Sequence, residues 1–586
     1  GMLDRNGLRP ARYCITKDGR VVLTSEVGAV RLDPKEVLSK GRLEPGKMLL
    51  IDTEQKRIVP DAEVKHIMAS AHPYGQWCQE HLVDLLDLME EAGDASLEKP
   101  KPDALLEQQQ AFGYTKEDLA QILVPMARTG KEPVGAMGVD CPLPVLSEQP
   151  QMLYDYFQQN FAQVTNPPMD ALRESIVTST SVMIGNVANI MDPDEKGTYA
   201  LAVDRPLLTN EEMAVIKSQK NEKLRTVTLS LLYPVSEGAQ AMEKAIDGLC
   251  KDALQAVQGG ANILVLSDRG VSPYLAAIPA LLATAAVHNF LIKETVRSDV
   301  GLILESGEPR EIHHFCTLIG YGITAVNPYL ALDTLKALAE GHKMAGVTGE
   351  EAQENYLKAA VAGIQTVMSK MGICTVRSYH GAQIFEAVGI NKDVINKYFV
   401  HTPSRIEGLG LEEIARETEM RHSQAFQGKQ GLSDGDIYAY KKNGPEPHIL
   451  DPEAIALLQK ACRTGDRDAY RQFDLFGGKG CPTIMAHCVY CPEEEIQLMK
   501  EQGVYVAHCP QSNTNLSSGI APVKLYLEQG IHTGLGTDIA GGHSLSMLRA
   551  VSDSIQVSKL HWRYIDSNRK PLTFEEAFYI GTMGGG

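Results

Sequence analysis

Apolar and polar residues alternate in different ways along this chain, and the changes of pattern divide it into regions. Near the start, short β-branched runs predict two antiparallel strand pairs, Tyr13–Thr16 with Val21–Thr24 and Lys47–Ile51 with Arg57–Val59. Asp18-Gly19 separates the first two runs, and this dipeptide suits the positive φ angles of a tight hairpin turn. We therefore expect a short β-rich region over residues 1–60, followed by charged helices up to about residue 130.

From about residue 225, apolar strands and longer amphipathic segments alternate regularly. The predicted strands are 226–232, 262–266, 300–304 and 323–326, and the predicted helices between and after them include 237–257, 308–319 and 329–339. Successive strand–helix units predict parallel strands with right-handed crossovers, and so an α/β barrel or a doubly wound sheet. We favour the barrel-like arrangement for this central region.

The pattern changes again around Tyr470–Gly478. Beyond this stretch, three short apolar strands follow one another closely, over 483–487, 504–508 and 531–538, with helices predicted at 492–501 and 522–529. Their last residues include His487, His508 and Asp538. In β/α barrels the carboxyl ends of the strands form the active-site face, so we expect these three side chains to share one face.

Two histidines and an aspartate at consecutive strand ends suit hydrolysis assisted by a divalent metal, which lowers the pKa of bound water. A single histidine at a strand end is more often a hydrogen-bonded structural residue. A structural zinc site at Cys488 and Cys491, with Cys481 and Cys509 as further ligands, is a weaker alternative. Its spacing lacks the second closely spaced cysteine pair that such sites need.

Composition and charge narrow the possible partners and compartment. The formal net charge of −18 and the pI near 5.4 argue against nucleic acid or an anionic membrane as a partner. The 11 cysteines are odd in number and scattered, which favours the reducing cytoplasm. No signal peptide is expected, and the apolar run Tyr274–Ile292 fits a helix buried against a sheet better than a membrane span.

Several motifs in the first four-fifths of the chain resemble the large subunit of glutamate synthase. They are Asp4–Arg12, Ala127–Val134, Thr165–Pro168, Gly260–Gly270, Val326–Leu330, Val367–Ile373, Ser378–Glu386 and Thr402–Gly408, in family order. The resemblance implies the end of a glutamine amidotransferase domain at 1–60, the central domain with a helical linker at 61–362, and the start of an FMN-binding barrel at 363–473. The substrates it implies are glutamine and 2-oxoglutarate.

The same resemblance implies catalytic groups that these residues do not supply. The family's nucleophile is an N-terminal cysteine, whereas this sequence begins Gly1-Met2 and its Cys14 lies inside a predicted strand, where we expect a buried structural thiol. An iron–sulfur cluster needs closely spaced cysteines, whereas Cys250, Cys316, Cys374 and Cys462 are far apart, and the glycine-rich part of the FMN barrel is absent as well. We expect neither FMN nor a cluster to bind.

The last region, 474–586, resembles guanine deaminase of the amidohydrolase superfamily. The resemblance is carried by Met485–Cys488, His508–Asn513, Gly534–Gly542, His543–Leu548 and His561–Tyr564. It implies that Asp538 binds zinc and handles the proton of the attacking water, that His487 hydrogen-bonds this water, and that His508 is a landmark of the strand-seven loop. The family's other zinc ligands come from a His-x-His motif and a His-x-x-Glu motif, and neither motif occurs in this sequence.

The sequence therefore predicts a glutamate synthase fragment joined to a guanine deaminase fragment, with neither parent activity retained. Two alternatives remain open. One is a bifunctional enzyme of nitrogen metabolism, or a deaminase-type zinc hydrolase, that obtains its missing ligands elsewhere. The other is a non-catalytic interaction protein built on the central domain. In either enzymatic case the partners are small molecules, namely glutamine, 2-oxoglutarate and guanine.

Overall fold

A computed structural model shows a mixed α/β protein whose contacts divide it into two compact units, Gly1–Glu446 and Pro447–Gly586. The structure describes residues 1–3, 10–93, 102–135, 139–161, 170, 172–187, 189–341, 343–344, 346–382, 384–427, 431–441, 444–448, 452–476, 483–538 and 540–584. The motif at 165–168 and Cys481 lie outside these residues. The two units are described separately below.

The first unit begins with small sheets and short helices. Its elements up to residue 218 are β1 Arg12–Thr16, β2 Val21–Thr24, β3 Val37–Arg42, β4 Leu50–Asp52, β5 Arg57–Val59, α1 Asp61–Ala69, α2 Tyr74–His81, β6 Val83–Asp84, α3 Leu85–Ala92, α4 Pro102–Ala111, α5 Val124–Thr129, β7 Phe157–Gln159, α6 Glu174–Val177, β8 Val182–Gly185, β9 Ala200–Val203 and α7 Asn210–Ser218. The strand pairs β1–β2 and β4–β5 are antiparallel, which confirms both predicted pairs. Cys14 is half-buried in β1, so the expected burial of this thiol is wrong.

The regular alternation of strands and helices follows. It comprises β10 Thr226–Ser230, β11 Leu232–Pro234, α8 Gly238–Gln258, β12 Ile263–Ser267, β13 Leu275–Ala277, α9 Ala280–Lys293, β14 Gly301–Glu305, α10 Ile312–Gly320, β15 Ala325–Asn327, α11 Tyr329–Glu340, α12 Gly349–Lys370, α13 Val376–Tyr379, β16 Phe385–Ile390, α14 Lys392–Tyr398, β17 Ser404–Leu409 and α15 Leu411–Phe426. Strands β10, β12, β14 and β15 pair in parallel and in sequential order. This order, with a helix after each strand, confirms the predicted β/α alternation.

The middle of this sheet is buried on both faces. Every residue of β12 and β14 is buried, and both strands are nearly continuous runs of Ile, Leu and Val. Helix α9, which covers most of the apolar run noted in the sequence, is buried over most of its length. Burial on both faces explains why these strands lack a polar alternation. Among the described residues, no helix is both long and apolar enough to cross a membrane.

Arg310, which precedes α10, connects two distant segments of the first unit. Its guanidinium is 4 % exposed, forms an ion pair of 3.1 Å with Asp118 and lies 4.5 Å above the ring of Tyr114. It also donates hydrogen bonds to the backbone carbonyls of Phe112 and Gly113, at 3.2 and 2.9 Å. A buried charge is tolerated only when it is paired and hydrogen-bonded. This cluster therefore fixes the segment after α4 against the start of α10.

The second unit contains α16 Pro452–Thr464, α17 Arg467–Phe476, β18 Ile484–Ala486, α18 Glu493–Glu501, β19 Tyr505–His508, α19 Pro510–Asn515, α20 Val523–Glu528, β20 Thr533–Leu535, α21 Met547–Tyr564 and α22 Phe574–Thr582. The change of pattern at 470–478 falls within and just after α17, and residues 477 and 478 lie outside the described part of the chain. Strands β18, β19 and β20 are parallel and in sequential order. All three strands predicted from the sequence are confirmed, in shortened form.

Replacing Arg310 with methionine tests the role of this buried ion pair. Arg310→Met leaves Asp118 buried without its partner, so we expect the free energy of unfolding of the first unit to fall by about 3–5 kcal/mol. The control is Arg173→Met, which breaks the 2.6 Å pair with Asp170, whose partners are 68 % and 49 % exposed. We expect it to cost less than about 1 kcal/mol in the same denaturant titration. Equal effects of the two substitutions would contradict the assignment.

Candidate functional site

The three parallel strands of the second unit bring their carboxyl ends to one edge. Ala486 of β18 lies beside Ala507 of β19, and His508 lies beside Leu535 of β20. His487 directly follows β18, His508 is the last residue of β19, and Asp538 lies shortly after β20. The strand ends thus place all three predicted side chains on the same edge of the sheet, as the sequence predicts.

His487 and Asp538 form the polar centre of this edge. Nε2 of His487 lies 3.8 Å from Oδ2 of Asp538, and Nδ1 of His487 lies 2.9 Å from Oδ1 of Asn513. With the Asn513 oxygen as acceptor, Nδ1 carries a hydrogen, and the lone pair of the neutral ring is on Nε2, towards Asp538. The side chains of His487 and Asp538 are 42 % and 37 % exposed, so a bound molecule can reach both of them.

His508 is buried beside this pair and lacks hydrogen-bond partners. Its side chain is 1 % exposed, and neither Nδ1 nor Nε2 makes a hydrogen bond with the described residues. Burial, together with the nearby His487, lowers the pKa of His508 to about 4, so the ring is neutral near pH 7. Buried polar atoms without partners are uncommon in folded proteins and point to a group that completes the site.

The backbone around these residues adopts conformations that side chains usually avoid. His487, Cys488 and Asp538 have φ angles of 69°, 43° and 43°. Such left-handed conformations cost free energy and occur most often at functional sites. A Cβ atom on Gly541 would lie 2.9 Å from Oδ2 of Asp538 and 2.5 Å from Oγ of Ser512, so the turn after Asp538 fits against the site only with glycine.

The short helix α19 forms the support of the site, and the sequence did not predict it as a helix. Its side chains Gln511, Ser512 and Asn513 are buried. Gln511 donates a hydrogen bond to Asp553 of α21, which anchors the helix, while Asn513 reaches His487. The available signal was Pro510, because proline is favoured in the first turn of a helix. The predicted strand at 504–508 ends two residues before Pro510, so the sequence pattern does not separate this short helix from the strand.

The donor set at this edge does not fit a catalytic zinc ion. A stable site takes three protein ligands and leaves one open position for water. Within the described residues of Pro447–Gly586, no three His, Cys, Asp or Glu ligand atoms lie within 4.8 Å of one another. Asp538 and His487 approach each other, but a third ligand atom does not join them. The described residues at this edge therefore do not supply the ligand set of a catalytic zinc ion.

The cysteines near this edge make local contacts. The thiol of Cys488 lies 3.6 Å from the carbonyl oxygen of Met485, and that of Cys509 lies 3.5 Å from the carbonyl oxygen of Ala507. A hydrogen bond from Cys488 lowers the pKa of the Cys491 thiol. Cys481, the remaining member of the alternative zinc site, lies outside the described residues. The described cysteines interact with the backbone and with one another.

Carboxylates also gather at the carboxyl ends of β12 and β14 in the first unit, and the sequence analysis did not single them out. Glu305 is 3 % exposed and binds Arg269 at 2.6 Å and Lys217 at 3.0 Å. Asp268 is fully buried and accepts a hydrogen bond from the backbone nitrogen of Gly307 at 3.1 Å. Burial raises the pKa of Asp268 to about 7. Protein groups therefore satisfy both carboxylates at this sheet edge.

Comparison with known protein families assigns three parts of the chain. Residues 1–77 match the class-II glutamine amidotransferases, and residues 107–391 match the glutamate synthase central domain. Residues 461–585 match the amidohydrolase family. The chain therefore combines glutamate synthase-like regions with an amidohydrolase-like region, which confirms the two resemblances found in the sequence at the level of these families.

Individual relatives agree with this assignment over the first four-fifths of the chain. The large chain of the NADPH-dependent glutamate synthase of Bacillus subtilis is 43 % identical over 474 residues, covering 80 % of this chain and 30 % of the relative. The NADH-dependent glutamate synthase of Schizosaccharomyces pombe is 42 % identical and covers 80 % of this chain and 23 % of the relative. The chain thus spans less than a third of the length of either relative.

Among solved structures, a guanine deaminase from C. acetobutylicum with bound guanine is similar at 21 % identity. The match covers 59 % of this chain and 62 % of that one, with a TM-score of 0.20. The guanine deaminase of E. coli is similar at 17 % identity, with 70 % and 83 % coverage and a TM-score of 0.19. These scores are too low to support an argument about fold or function.

The burial of His508 predicts a specific pH dependence of stability. Its folded pKa of about 4 lies below the ordinary value of about 6.5, so the unfolded chain binds more protons between these values. The contribution of the neutral ring is complete above pH 6.5, roughly, and is lost as the pH falls towards about 4. We expect the unfolding free energy of the parent, relative to His508→Gln, to fall by about 2 kcal/mol between about pH 7.5 and about pH 5.

Denaturant titrations of the parent and of His508→Gln at the two pH values measure this difference. Other titrating groups are common to both proteins and cancel in the comparison. Parallel pH dependences of the two proteins would show that His508 has the same pKa in the folded and the unfolded chain, which would contradict its lowered pKa.

Proposed function

We propose that His487 and Asp538 are the proton-handling pair of an amidohydrolase-type deaminase site, and that these 586 residues do not complete the site. The proposal includes the first unit, which we infer to be a glutamate synthase-like scaffold without glutamine hydrolysis or flavin chemistry of its own. The observation that carries it is the position of His487, His508 and Asp538 at the carboxyl ends of β18, β19 and β20. Guanine is the substrate class suggested by the sequence motifs of this region.

The pair at the sheet edge suits the proton transfers of hydrolytic deamination. In such a reaction, one group takes a proton from the attacking water and a proton is delivered to the departing ammonia. The 3.8 Å between His487 Nε2 and Asp538 Oδ2 is close enough for the two groups to exchange a proton through small movements. Asn513 holds the ring of His487 by its Nδ1 atom, which keeps Nε2 directed at the carboxylate.

Inactivity follows from the donor set, because deamination of this type requires a metal-activated water. The family's two metal-binding motifs do not occur in the sequence, and the described residues of the second unit offer no convergent set of three ligands. Asp538 alone would hold zinc only weakly, since stable sites use three or four protein ligands. The pair is therefore retained without the ion that would activate its water.

The first unit supports the corresponding proposal for the synthase-like region. Cys14 is the one cysteine among residues 1–77, and it lies in the middle of β1, paired across the sheet with Val22 and Lys40. A nucleophilic cysteine needs an adjacent base and an accessible face for the substrate. A residue in the middle strand of a three-stranded sheet suits a structural role better.

Metal content and ammonia release test the proposal together. We expect the purified chain, supplied with zinc and then passed through a desalting column, to retain less than about 0.1 zinc per chain, because a single carboxylate ligand cannot hold the ion. We expect no ammonia from guanine or from glutamine above the buffer background. Elemental analysis and a coupled ammonia assay measure the two quantities.

The matched control is Asp538→Asn, which removes the proposed ligand and base while keeping nearly the same shape. Zinc binding or guanine deamination that persists in this variant does not arise at Asp538 and leaves the proposal for this site intact. Stoichiometric zinc, or guanine deamination that is lost in Asp538→Asn, would overturn it. Ammonia release from glutamine by the purified chain would overturn the proposal for the first unit.

A further inference from the structure

A cavity of about 760 Å³ is lined by residues of the first unit, chiefly from its helices, and none of them is a strand-end residue described above. Its walls come from α8, α9 and α14, together with the turns around Gly320, Gly381 and Val400. A volume of this size matches pockets that hold small organic ligands. Ile292 and Val400 line it and are 50 % and 36 % exposed, so they offer apolar surface without a protein partner.

His288 of α9 presents a hydrogen-bond donor to this cavity. The Nε–H group of Arg297 donates to Nδ1 of His288 at 2.9 Å, so Nδ1 is an acceptor and the neutral ring carries its hydrogen on Nε2. Burial, reinforced by Arg297, lowers the pKa of His288 to about 3 and keeps the ring neutral. A Cβ atom on Gly381 would lie 3.8 Å from Nε2, and the missing side chain leaves space beside the donor.

A second glycine fixes the position of this ring. Gly322 has a φ angle of 104°, and a Cβ atom there would lie 2.0 Å from Nδ1 of His288. Arg297 also donates to the carbonyl oxygen of Gly322 at 2.7 Å. The ring is therefore held on one side by an arginine and a glycine, with Nε2 on the side of the cavity.

Tyr398 is a further part of the cavity wall. Tyr398 is 3 % exposed and lines the cavity, and its hydroxyl makes no hydrogen bond of good geometry with the described residues. Nζ of Lys397 lies 5.0 Å from the centre of its ring, which is a cation–π contact.

Positively charged side chains outnumber negatively charged ones in the lining of the cavity. Lys397 forms ion pairs with Glu243 at 2.8 Å and with Asp247 at 3.6 Å. Asp247 is the acidic residue of the lining, so Lys397 balances its charge. Lys251 and Lys293 also line the cavity, are exposed, and form no ion pair with the described residues. In a protein with a net charge of −18, two lysines at an apolar cavity that form no ion pair with the described residues favour an anionic ligand.

We propose that this cavity binds a small amphiphilic carboxylate. Its apolar body would contact Ile292 and Val400, and its carboxylate would accept the hydrogen of His288 Nε2 in the field of Lys251 and Lys293. Hydrogen bonds to a charged acceptor are stronger than neutral ones, so the carboxylate contributes more to binding than an alcohol of the same length.

Calorimetric titration of the full chain with octanoate tests this proposal, with 1-octanol as the neutral probe of equal length. We expect saturable binding of octanoate at one site and at least about fivefold weaker binding of 1-octanol. The double variant Lys251→Gln/Lys293→Gln should weaken octanoate binding by about fivefold. The control Lys244→Gln, which is also exposed and on α8 but outside the cavity, should leave binding unchanged.

The donor is tested by substituting His288. His288→Leu should weaken octanoate binding by about tenfold, while His288→Gln, which keeps an N–H donor, should retain most of it. If the leucine variant does not fold, as judged by its thermal unfolding, the lysine variant and the octanol comparison decide the question. Absence of saturable octanoate binding, equal affinity for 1-octanol, or insensitivity to both lysines would overturn the proposal.

Discussion

Parallel pairing of strands in sequential order is the constraint on which both units depend. It requires a crossover helix after each strand and brings successive carboxyl ends to one edge. In the first unit this edge carries Asp268 and Glu305, which protein groups satisfy. In the second unit it carries His487, His508 and Asp538, where nitrogen atoms of a buried histidine remain without partners. The same topology thus gives a cluster with satisfied carboxylates in one unit and a site with unpartnered nitrogen atoms in the other.

The difference between these edges has a physical cause. A buried carboxylate without partners is costly, and around Glu305 two cations and a hydroxyl meet that demand. At the second edge the strained backbone of His487 and Asp538 directs their side chains outwards, and glycine is needed where the turn passes Asp538. Strain of this kind is kept where geometry matters more than stability. The geometry is kept at this edge, although the described residues do not supply three converging metal ligands.

Much of the fold could be predicted from the sequence because its signals are local. Buried strands such as β12 and β14 are short runs of Ile, Leu and Val between helices, and strand ends fix where His487, His508 and Asp538 must lie. Contacts between distant segments could not be predicted in this way. The ion pair of Arg310 with Asp118 depends on the packing of separate elements, and the hydrogen bond of His487 with Asn513 depends on the unforeseen helix α19.

The domain limits at 60, 362 and 473 remain predictions. The matched families cover 1–77, 107–391 and 461–585, and the contacts divide the chain after Glu446. These limits determine how much of each matched family the chain contains. They do not affect the site at the ends of β18, β19 and β20, which depends on its own residues. We infer that this second site keeps a proton-handling pair and lacks a metal-binding set.

Cobalt(II) titration of the metal-free chain, followed by visible absorption, tests this claim most directly. Cobalt bound by three or more protein ligands in a four- or five-coordinate site gives intense ligand-field bands, whereas hydrated cobalt gives only weak ones. The account predicts a spectrum that stays that of hydrated cobalt throughout the titration and is identical in Asp538→Asn. Intense bands that saturate at one equivalent and disappear in Asp538→Asn would contradict it.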